Sequence, residues 1–399
     1  MTTATSSFPG SLASGGSAGA AALLALIRER GTCTRADLTR ATGLVRSTVA
    51  ARLDALLASG LVHAGNSGVS TGGRPASHFT FNPRARVVLA ADLGATHARI
   101  AITDLNGTML ASREEGLDIA AGPQVVLAWL ATTGRELLGE CDRDAGDLAG
   151  VGIGLPGPVE HETGRPANPP IMPGWDGVDV PAIVAADFPV PVLVDNDVNV
   201  MALGEYAAAF PEADHLLFIK VATGIGSGII NDGRLNRGAR GSAGDLGHVL
   251  SPAGGDAECR CGNTGCLEAV ASGAAIAARL RADGLDPRSS ADVVALVRSG
   301  NMAAAHAVRQ AGRDIGQVLA SCVSLLNPSV IVVGGELSES GEMLLAGVRE
   351  AVYRRSLPLA TEHLEIVTSK IGASGGVVGA ATMVVMHVLS PAVLDRQLS

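Results

Sequence analysis

The pattern of apolar and polar positions divides the chain into two parts. In the first part, apolar residues recur at helical spacing in three short segments, whereas later compact apolar runs alternate with helical stretches. The first segment, residues 20–30, places Leu23, Leu26 and Ile27 on one helical face, and Gly31 ends it. This change of pattern predicts a small helical domain followed by an α/β body.

Two further helices are predicted on either side of a tight turn at Gly43. Thr34 can cap the first of them with Asp37 at its third position, which is close to a capping box. The second runs from about residue 46 to residue 59, and the pair forms a helix-turn-helix pattern. Val45 stands where Ser or Thr would usually cap this second helix. Either the cap comes from elsewhere, or the helix frays until it meets DNA.

The segments LVHAGN and SHFTFN predict two strands joined by GVSTGGRPA, the pattern of the wing in a winged helix. Residues 19–82 are therefore assigned to a winged helix-turn-helix domain, which follows a tail at 1–18 predicted to be disordered and precedes a linker at 83–86. The alternative is a small helical bundle used for dimerisation. Charge favours DNA, because residues 1–90 carry nine arginines and three acids although the whole chain has a net charge of −9.

Basic and hydroxyl side chains near the start of the third helix suit contacts with phosphates and base edges in a major groove. One arginine in the predicted wing adds to them. The predicted DNA contacts are Arg46, Ser47, Thr48, Arg52 and Arg74.

Glycine-rich turns recur in the body. DLGATHARIAI and TGIGSGII both predict strand, glycine turn and strand, and are interpreted as corresponding loops of an internally duplicated fold. Such turns offer unobstructed backbone N–H groups to phosphate oxygens, although many are only turns. Because neither is followed by a predicted helix, neither is a Rossmann fingerprint or a P-loop. Further glycine turns are predicted at strand ends at Gly334-Gly335 and Gly375-Gly376. The candidate nucleotide-binding residues are Asp92, Gly94, Thr96, Thr223, Gly224, Gly226, Gly334 and Gly335.

The segment VDNDVN delivers carboxylates and amides to the end of an apolar strand. Asp197 could accept a proton from a sugar hydroxyl that attacks a γ-phosphate, and Asn196 could hold a hydroxyl by its amide. Asp92 could hold a water of a magnesium ion. The alternative is a polar strand-to-helix turn without a catalytic role.

Three cysteines and a histidine lie close together in sequence, at His248, Cys259, Cys261 and Cys266. One His and three Cys suit a closed, tetrahedral structural zinc site, and the alternative is a set of unmetallated thiols. The spacing differs from that of fingers with two Cys and two His, so a DNA-reading zinc finger is not expected.

Together these motifs resemble the ROK family (repressors, open reading frames and kinases) over about residues 20–385. The combination with a winged helix and a GGRP linker resembles the repressor branch, such as the xylose and N-acetylglucosamine repressors. The resemblance implies an actin-like, duplicated ribonuclease-H-type fold over 87–390, with a cleft between two lobes and a lobe boundary near 195–205. The matching positions are G-I-G-S-G-I at 224–229, Gly238, Gly244, Gly247, His248 and the Cys-x-Cys-Gly-x-x-Gly-Cys-x-Glu motif from Cys259 to Glu268.

The resemblance also implies roles for individual residues. Asp92, Gly94 and Thr96 would form the ATP-phosphate loop, and Asp197 would be the catalytic base. Kinases of the family usually carry Glu where this chain has Asp245, which leaves the identity of the sugar open. The implied sugar-binding residues are Asn168, Asn196, Asp197, Asp245, His248 and Glu268, with zinc holding the loop that carries the last of them.

These features predict a sugar-responsive DNA-binding regulator, a repressor, with operator DNA and a sugar as partners and with structural zinc as cofactor. The alternative is an ATP-dependent, glucokinase-like sugar kinase using Mg-ATP, or a bifunctional protein. A homodimer or homotetramer is expected. No apolar run reaches the ~20 residues that span a bilayer, and the N-terminus lacks a signal-peptide pattern, so a cytoplasmic protein with no membrane partner is expected.

Overall fold

The computed structural model describes residues 19–66 and 77–399, and its N-terminal unit is a three-helix, three-stranded winged helix. The antiparallel sheet has the order β1-β3-β2. Strand β1 is not predicted from the sequence, because three residues with a single buried side chain show no periodicity. The elements are α1 (Ala20–Arg30), β1 (Thr32–Thr34), α2 (Arg35–Thr42), α3 (Arg46–Ala58), β2 (Val62–Asn66) and β3 (Ser77–Phe81).

The local signals of the helix-turn-helix are confirmed. Thr34 and Asp37 form the capping box of α2, with backbone-to-side-chain bonds of 3.0 and 3.2 Å. Gly43 ends α2 in the left-handed conformation with φ of 68°. Val45 provides no side-chain cap for α3, as its residue type requires. The predicted tail at 1–18 and Arg74 lie outside the described residues.

The body consists of two five-stranded sheets with the same topology. The first has the order β10 (Val192–Asn196), β7 (Leu148–Leu155), β4 (Val87–Leu93), β5 (Ala98–Asp104) and β6 (Met109–Glu115). The second has the order β13 (Arg234–Asn236), β12 (Ile225–Asn231), β11 (His215–Val221), β14 (Val330–Gly334) and β15 (Glu365–Thr368). Each begins with an antiparallel hairpin around a glycine turn and then adds parallel strands beside its first strand. The predicted duplicated α/β fold is therefore confirmed.

The elements between the winged helix and the second sheet are β4 (Val87–Leu93), β5 (Ala98–Asp104), β6 (Met109–Glu115), α4 (Pro123–Glu140), β7 (Leu148–Leu155), β8 (Val159–Glu160), β9 (Arg165–Pro166), α5 (Val180–Ala185), β10 (Val192–Asn196) and α6 (Asp197–Ala209). The remaining elements are β11 (His215–Val221), β12 (Ile225–Asn231), β13 (Arg234–Asn236), α7 (Leu267–Ala271), α8 (Gly273–Ala282), α9 (Ser290–Arg298), α10 (Met302–Leu326), β14 (Val330–Gly334), α11 (Glu342–Arg355), α12 (Pro358–Thr361), β15 (Glu365–Thr368), α13 (Gly375–Val388) and α14 (Pro391–Gln397).

Helices α6 and α13 pack so closely that their backbones touch. A Cβ atom at Gly379 would overlap the carbonyl oxygen of Val200, and one at Gly204 would overlap that of Gly375. The prediction of a turn at Gly375-Gly376 is wrong, because both residues belong to the first turn of α13. Gly375 packs against Gly204 of α6, and this tertiary contact outweighs the preference of a glycine pair for a turn.

One apolar cluster joins the winged helix to the body. It contains Leu23 and Ile27 of α1, Val384 of α13 and Leu394 of α14. Asp395 also accepts a hydrogen bond of 2.8 Å from the backbone N–H of Ala21, at the start of α1, whose N-cap Gly19 has no side chain to offer. The winged helix is therefore anchored by the C-terminal helices of the body.

Within the described ranges, no single helix is long and apolar enough to cross a membrane. The bent pair Gly372–Val388 and Pro391–Gln397 meets that criterion by length and composition only.

The contact between α6 and α13 yields a test. Gly379→Ala places a methyl group against a backbone carbonyl, so we expect the folded state to lose about 1–3 kcal/mol, as overpacked cores do. Gly139→Ala is the matched control, since it adds the same methyl group to a helix where nothing lies within 4 Å. Differential scanning calorimetry should show a lower melting temperature for Gly379→Ala alone. Equal melting temperatures would contradict the close packing.

Candidate ligand cleft, metal cluster and DNA-binding helix

A cavity of about 850 Å³ lies between the two sheets, where the loops after their strands meet. Eleven of the predicted sugar- and nucleotide-binding residues line it, and they come from both halves of the duplicated fold. These residues are Asp92, Thr96, Asn196, Asp197, Thr223, Gly224, Gly226, Asp245, His248, Glu268 and Gly335.

Three predicted residues are not among those that line the cavity. The backbone N–H of Gly94 closes its turn on the carbonyl of His97 at 2.8 Å, and Gly334 is buried within β14. Asn168 is exposed in the left-handed conformation with φ of 45°, and its N–H donates to Asp176 at 2.7 Å. Sequence spacing alone does not distinguish a residue in the cleft from one that shapes a neighbouring loop.

Asp197 begins α6 and is buried, and its carboxylate accepts a 2.5 Å hydrogen bond from Nζ of Lys220. Burial alone would lower the pKa of Lys220, but the charges of Asp197 and Asp92 outweigh it, and the pKa lies above its ordinary value. Burial raises the pKa of Asp92, and Lys220 opposes that rise. The centre of the cleft is thus an ammonium group beside two buried carboxylates.

Lys220 was not predicted as a site residue. It lies within an apolar strand, LLFIKVA, so that its neighbours suggest only a buried β-strand. The available signal was its residue type, since only two of the 30 basic residues are lysines.

Asn196 and its neighbours form a second polar network. The side chain of Asn196 caps α6 by accepting from the N–H of Val198 at 3.0 Å, and it donates to the carbonyl of Gly157 at 3.0 Å. Its predicted bond to a sugar hydroxyl would compete with these contacts. Asp195 is fully buried and pairs with Arg237 at 2.5 Å, which joins the end of β10 to the end of β13.

Asn199 is a further candidate, a residue of the VDNDVN segment for which the sequence predicted no role. Its side-chain nitrogen donates to Asp195 at 2.9 Å, and it lines the cavity although it is only 1 % exposed. Its side-chain oxygen is buried without a hydrogen-bond partner among the described residues. A ligand hydroxyl or a water would satisfy this acceptor.

His248 and the three cysteines come together in space. Their ligand atoms all lie within 4.8 Å of one another. The Sγ atoms of Cys261 and Cys266 are 3.7 Å apart, and Nδ1 of His248 lies 3.6 Å from Sγ of Cys259. Zn–S and Zn–N bonds of about 2.3 and 2.0 Å give tetrahedral edges of roughly this length. The cluster therefore has the donors and the spacing of a metal-binding site.

Without a metal ion, Cys266 keeps its proton at neutral pH. Burial raises the pKa of Cys266 to about 12, and hydrogen bonds with Cys261 and Cys259 act in the same direction. Three neighbouring cysteines ionise together only when a metal ion compensates their charge.

The Cys/His cluster, formed by His248, Cys259, Cys261 and Cys266, is connected to the cleft through α7. Cys266 is the N-cap residue of α7, and Glu268 lies in the first turn of that helix. The carboxylate of Glu268 accepts a 3.0 Å hydrogen bond from the backbone N–H of Ile225, in the glycine turn of the second sheet. A side chain at Gly224 would overlap this carboxylate in its present position, so Glu268 packs directly on the turn.

The predicted DNA contacts that are described lie on the first two turns of α3. Arg46 and Ser47 are exposed, whereas Thr48 and Arg52 are half-buried. The Nη1 atom of Arg52 is buried without a hydrogen-bond partner in the described part of the chain. Arg46 and Ser47 are therefore the side chains best placed to reach DNA.

Fold and site together define a DNA-binding winged helix on an actin-like body with a polar ligand cleft. Residues 88–386 match the ROK family, and residues 22–63 match the winged helix-turn-helix DNA-binding family. The chain therefore belongs to the ROK family.

Individual relatives differ in how much of the chain they match. The xylose repressor of Caldicellulosiruptor bescii is 28 % identical over 90 % of this chain and 92 % of its own length. The glucokinase of Thermotoga maritima is 30 % identical over 74 % of this chain and 96 % of its own length. The crystal structure of a ROK family transcriptional regulator, a homologue of the Escherichia coli MLC protein, has a TM-score of 0.82 with 27 % identity, covering 95 % of this chain and 98 % of that one.

The bond between Glu268 and Ile225 can be tested directly. Glu268→Ala removes the acceptor, so the Ile225 amide should exchange its hydrogen roughly 10- to 100-fold faster, as expected for a charge-assisted bond. Glu268→Gln retains an acceptor oxygen and should change the rate much less. Hydrogen exchange of a peptide that covers the glycine turn measures both. Unchanged exchange in Glu268→Ala would show that the contact does not hold the turn.

Proposed function

We propose that this protein is a sugar-responsive transcriptional repressor. The winged helix, residues 19–82, binds operator DNA, and the body, residues 87–390, binds a sugar in its cleft. The observation that carries the proposal is the path between the two sites. Helix α13 begins against Asp92 in the cleft, where a Cβ at Gly376 would overlap that carboxylate, and continues into the apolar cluster that anchors α1.

The cleft offers the groups that recognise a neutral polyol. Asp197, Asp245, His248 and Glu268 line it, and Asn199 presents an unused acceptor. Sugar binding that favours one arrangement of the two sheets would shift the packed pair α6 and α13, and thereby the winged helix. Such coupling requires that the sugar has different affinities for the two arrangements.

The functional assembly is a homodimer in the cytoplasm. Two winged helices related by a twofold axis would match the two halves of a pseudo-palindromic operator. Release of the operator then requires only a change in the spacing or angle of the two heads.

Structural zinc is the metal of the Cys/His cluster. His248 both completes the cluster and lines the cleft, and α7 extends from Cys266 to Glu268. The metal would fix one wall of the sugar pocket and would have no catalytic role.

The kinase alternative rests on Asp92, Thr96 and Asp197, which all line the cleft, and on the similarity to a glucokinase. The winged helix favours the repressor, because the repressor relative matches 90 % of the chain including this region and the glucokinase matches 74 %.

The DNA-binding role is tested by Arg46→Ala. Loss of an exposed arginine at the start of α3 should cost about 1–3 kcal/mol of DNA-binding free energy and leave the sugar Kd unchanged. Arg355→Ala removes the same charge from an exposed site on α11 and is the control. Calorimetry measures the sugar Kd. Fluorescence anisotropy at physiological salt, with duplexes selected from a random library by the wild-type protein, measures the DNA affinity of each variant.

The same assay tests the sugar response. A panel of neutral pentoses, hexoses and N-acetylhexosamines should contain at least one sugar that weakens DNA binding by the wild-type protein. If Arg46→Ala binds DNA as tightly as Arg355→Ala, then the start of α3 does not contact DNA as proposed. If no sugar changes DNA binding, the proposed regulation is wrong.

The zinc site is tested by Cys261→Ser. We expect the variant to lose its zinc, to exchange the Ile225 amide faster and to bind sugar more weakly, because the wall that carries Glu268 loosens. Cys322→Ser is the control, since that cysteine is isolated on α10. Elemental analysis, hydrogen exchange and calorimetry measure the three effects. Loss of DNA binding with intact sugar binding would show that the metal does not support the sugar pocket and that its proposed role is wrong.

A further inference from the structure

The side chain of Lys220 reaches the cleft from the central strand of the second sheet. Lys220 lies on the central strand β11, where its direct neighbours are Gly226 on β12 and Gly334 on β14. Neither neighbour has a side chain on the face that Lys220 uses. The Lys220 side chain is only 18 % exposed, and its end lies against Asp197, the first residue of α6.

The end of this side chain bonds one of the two acids that a phosphoryl-transfer site would need free, and the charge of the other also acts on it. Nζ of Lys220 donates to Oδ2 of Asp197 at 2.5 Å. Asp92 is 7 % exposed, and its charge also acts on the ammonium group. Because both acids raise the pKa of Lys220, the lysine stays positively charged at neutral pH.

A magnesium–nucleotide complex fits this arrangement poorly. Mg²⁺ binds through carboxylate and water oxygens, and an ammonium group that already bonds Asp197 would repel it. A second cationic side chain in the cavity lining, that of Arg99, is paired with Glu114 and with the carbonyl of Ala373. Lys220 and Arg99 are thus already paired within the protein and Oδ2 of Asp197 is occupied, whereas Arg260 lies at an exposed part of the cavity lining.

We propose that Lys220 is an internal counter-ion that takes the place of a metal ion at Asp92 and Asp197, so that the cleft binds a neutral sugar without Mg-ATP and does not phosphorylate it. This inference rests on the proposed function for the identity of the cleft as a sugar site. It assigns to Lys220 the difference between a sensor and a kinase built on the same fold.

The counter-ion role is tested without any sugar. Mn²⁺, followed by electron paramagnetic resonance, is the probe for a divalent site in the zinc-loaded, full-length protein. Lys220→Met removes the ammonium and leaves two uncompensated acids, so it should bind Mn²⁺ at least ~10-fold more tightly than the wild type. Lys220→Gln, which keeps a polar side chain without the charge, should behave alike and serves if the methionine variant does not fold.

Two controls make the result specific to this site. Lys370→Met removes the only other lysine of the chain, which stacks on Phe210 outside the cleft, and should bind Mn²⁺ like the wild type. Adding Asp92→Asn to Lys220→Met should abolish the gain. If the wild type binds Mn²⁺ as tightly as the Lys220 variants, or if the gain survives Asp92→Asn, the counter-ion role is overturned.

A second measurement uses the sugar. Calorimetry of the wild type should give a sugar Kd that Mg-ATP changes by less than about twofold, and a coupled assay should detect no phosphorylated product. Mg-ATP-dependent turnover by the wild type would show that the cleft is a kinase site. Tight binding of a sugar 6-phosphate that is lost in Lys220→Met would make Lys220 a phosphate ligand. Either result would overturn the proposal. If no sugar binds, the proposed function fails, and the Mn²⁺ experiment still decides the role of Lys220.

Discussion

The backbone contact between α6 and α13 is the constraint on which the rest of the structure depends. Each helix begins at the cleft, α6 with Asp197 and α13 beside Asp92. Because Gly204 and Gly379 leave no side chain between the helices, a shift of one is transmitted to the other. At its far end α13 leads into α14, whose Asp395 bonds the first turn of α1. A ligand-binding cleft and a DNA-binding head are thereby parts of one packed unit.

The cleft combines the scaffold of a phosphotransferase with the charge balance of a binding site. The duplicated sheets bring glycine turns and acidic residues to a common centre, as a sugar kinase requires. Lys220 then pairs with the residue that would act as the base. A single long side chain from the central strand of the second sheet thus occupies an oxygen that a kinase would need free. The fold supplies the geometry, whereas the charge at one position decides the chemistry.

The Cys/His cluster is joined to the glycine turn of the second sheet through α7. Four donors from one loop surround a point next to the N-terminus of α7, and that helix presents Glu268 to the N–H of Ile225. A loop rich in glycine loses much conformational entropy when it becomes ordered, and this loss has to be offset. A cation bound by His248 and the cysteines would supply the free energy that this ordering requires, close to the sugar rather than close to DNA.

The sequence by itself determined the elements with strong local signals. The capping box at Thr34, the apolar strands and the Cys/His spacing each depend on residues that are near one another in the chain, so local physical chemistry is enough to predict them. Only the tertiary structure decided which side chains face one another across the cleft. The pairing of Lys220 with Asp197, the unused acceptor of Asn199 and the absence of Asn168 from the cavity lining depend on strand register and helix packing between distant segments. The helical start at Gly375 was missed for the related reason that its packing against α6 outweighs the local preference of two glycines for a turn.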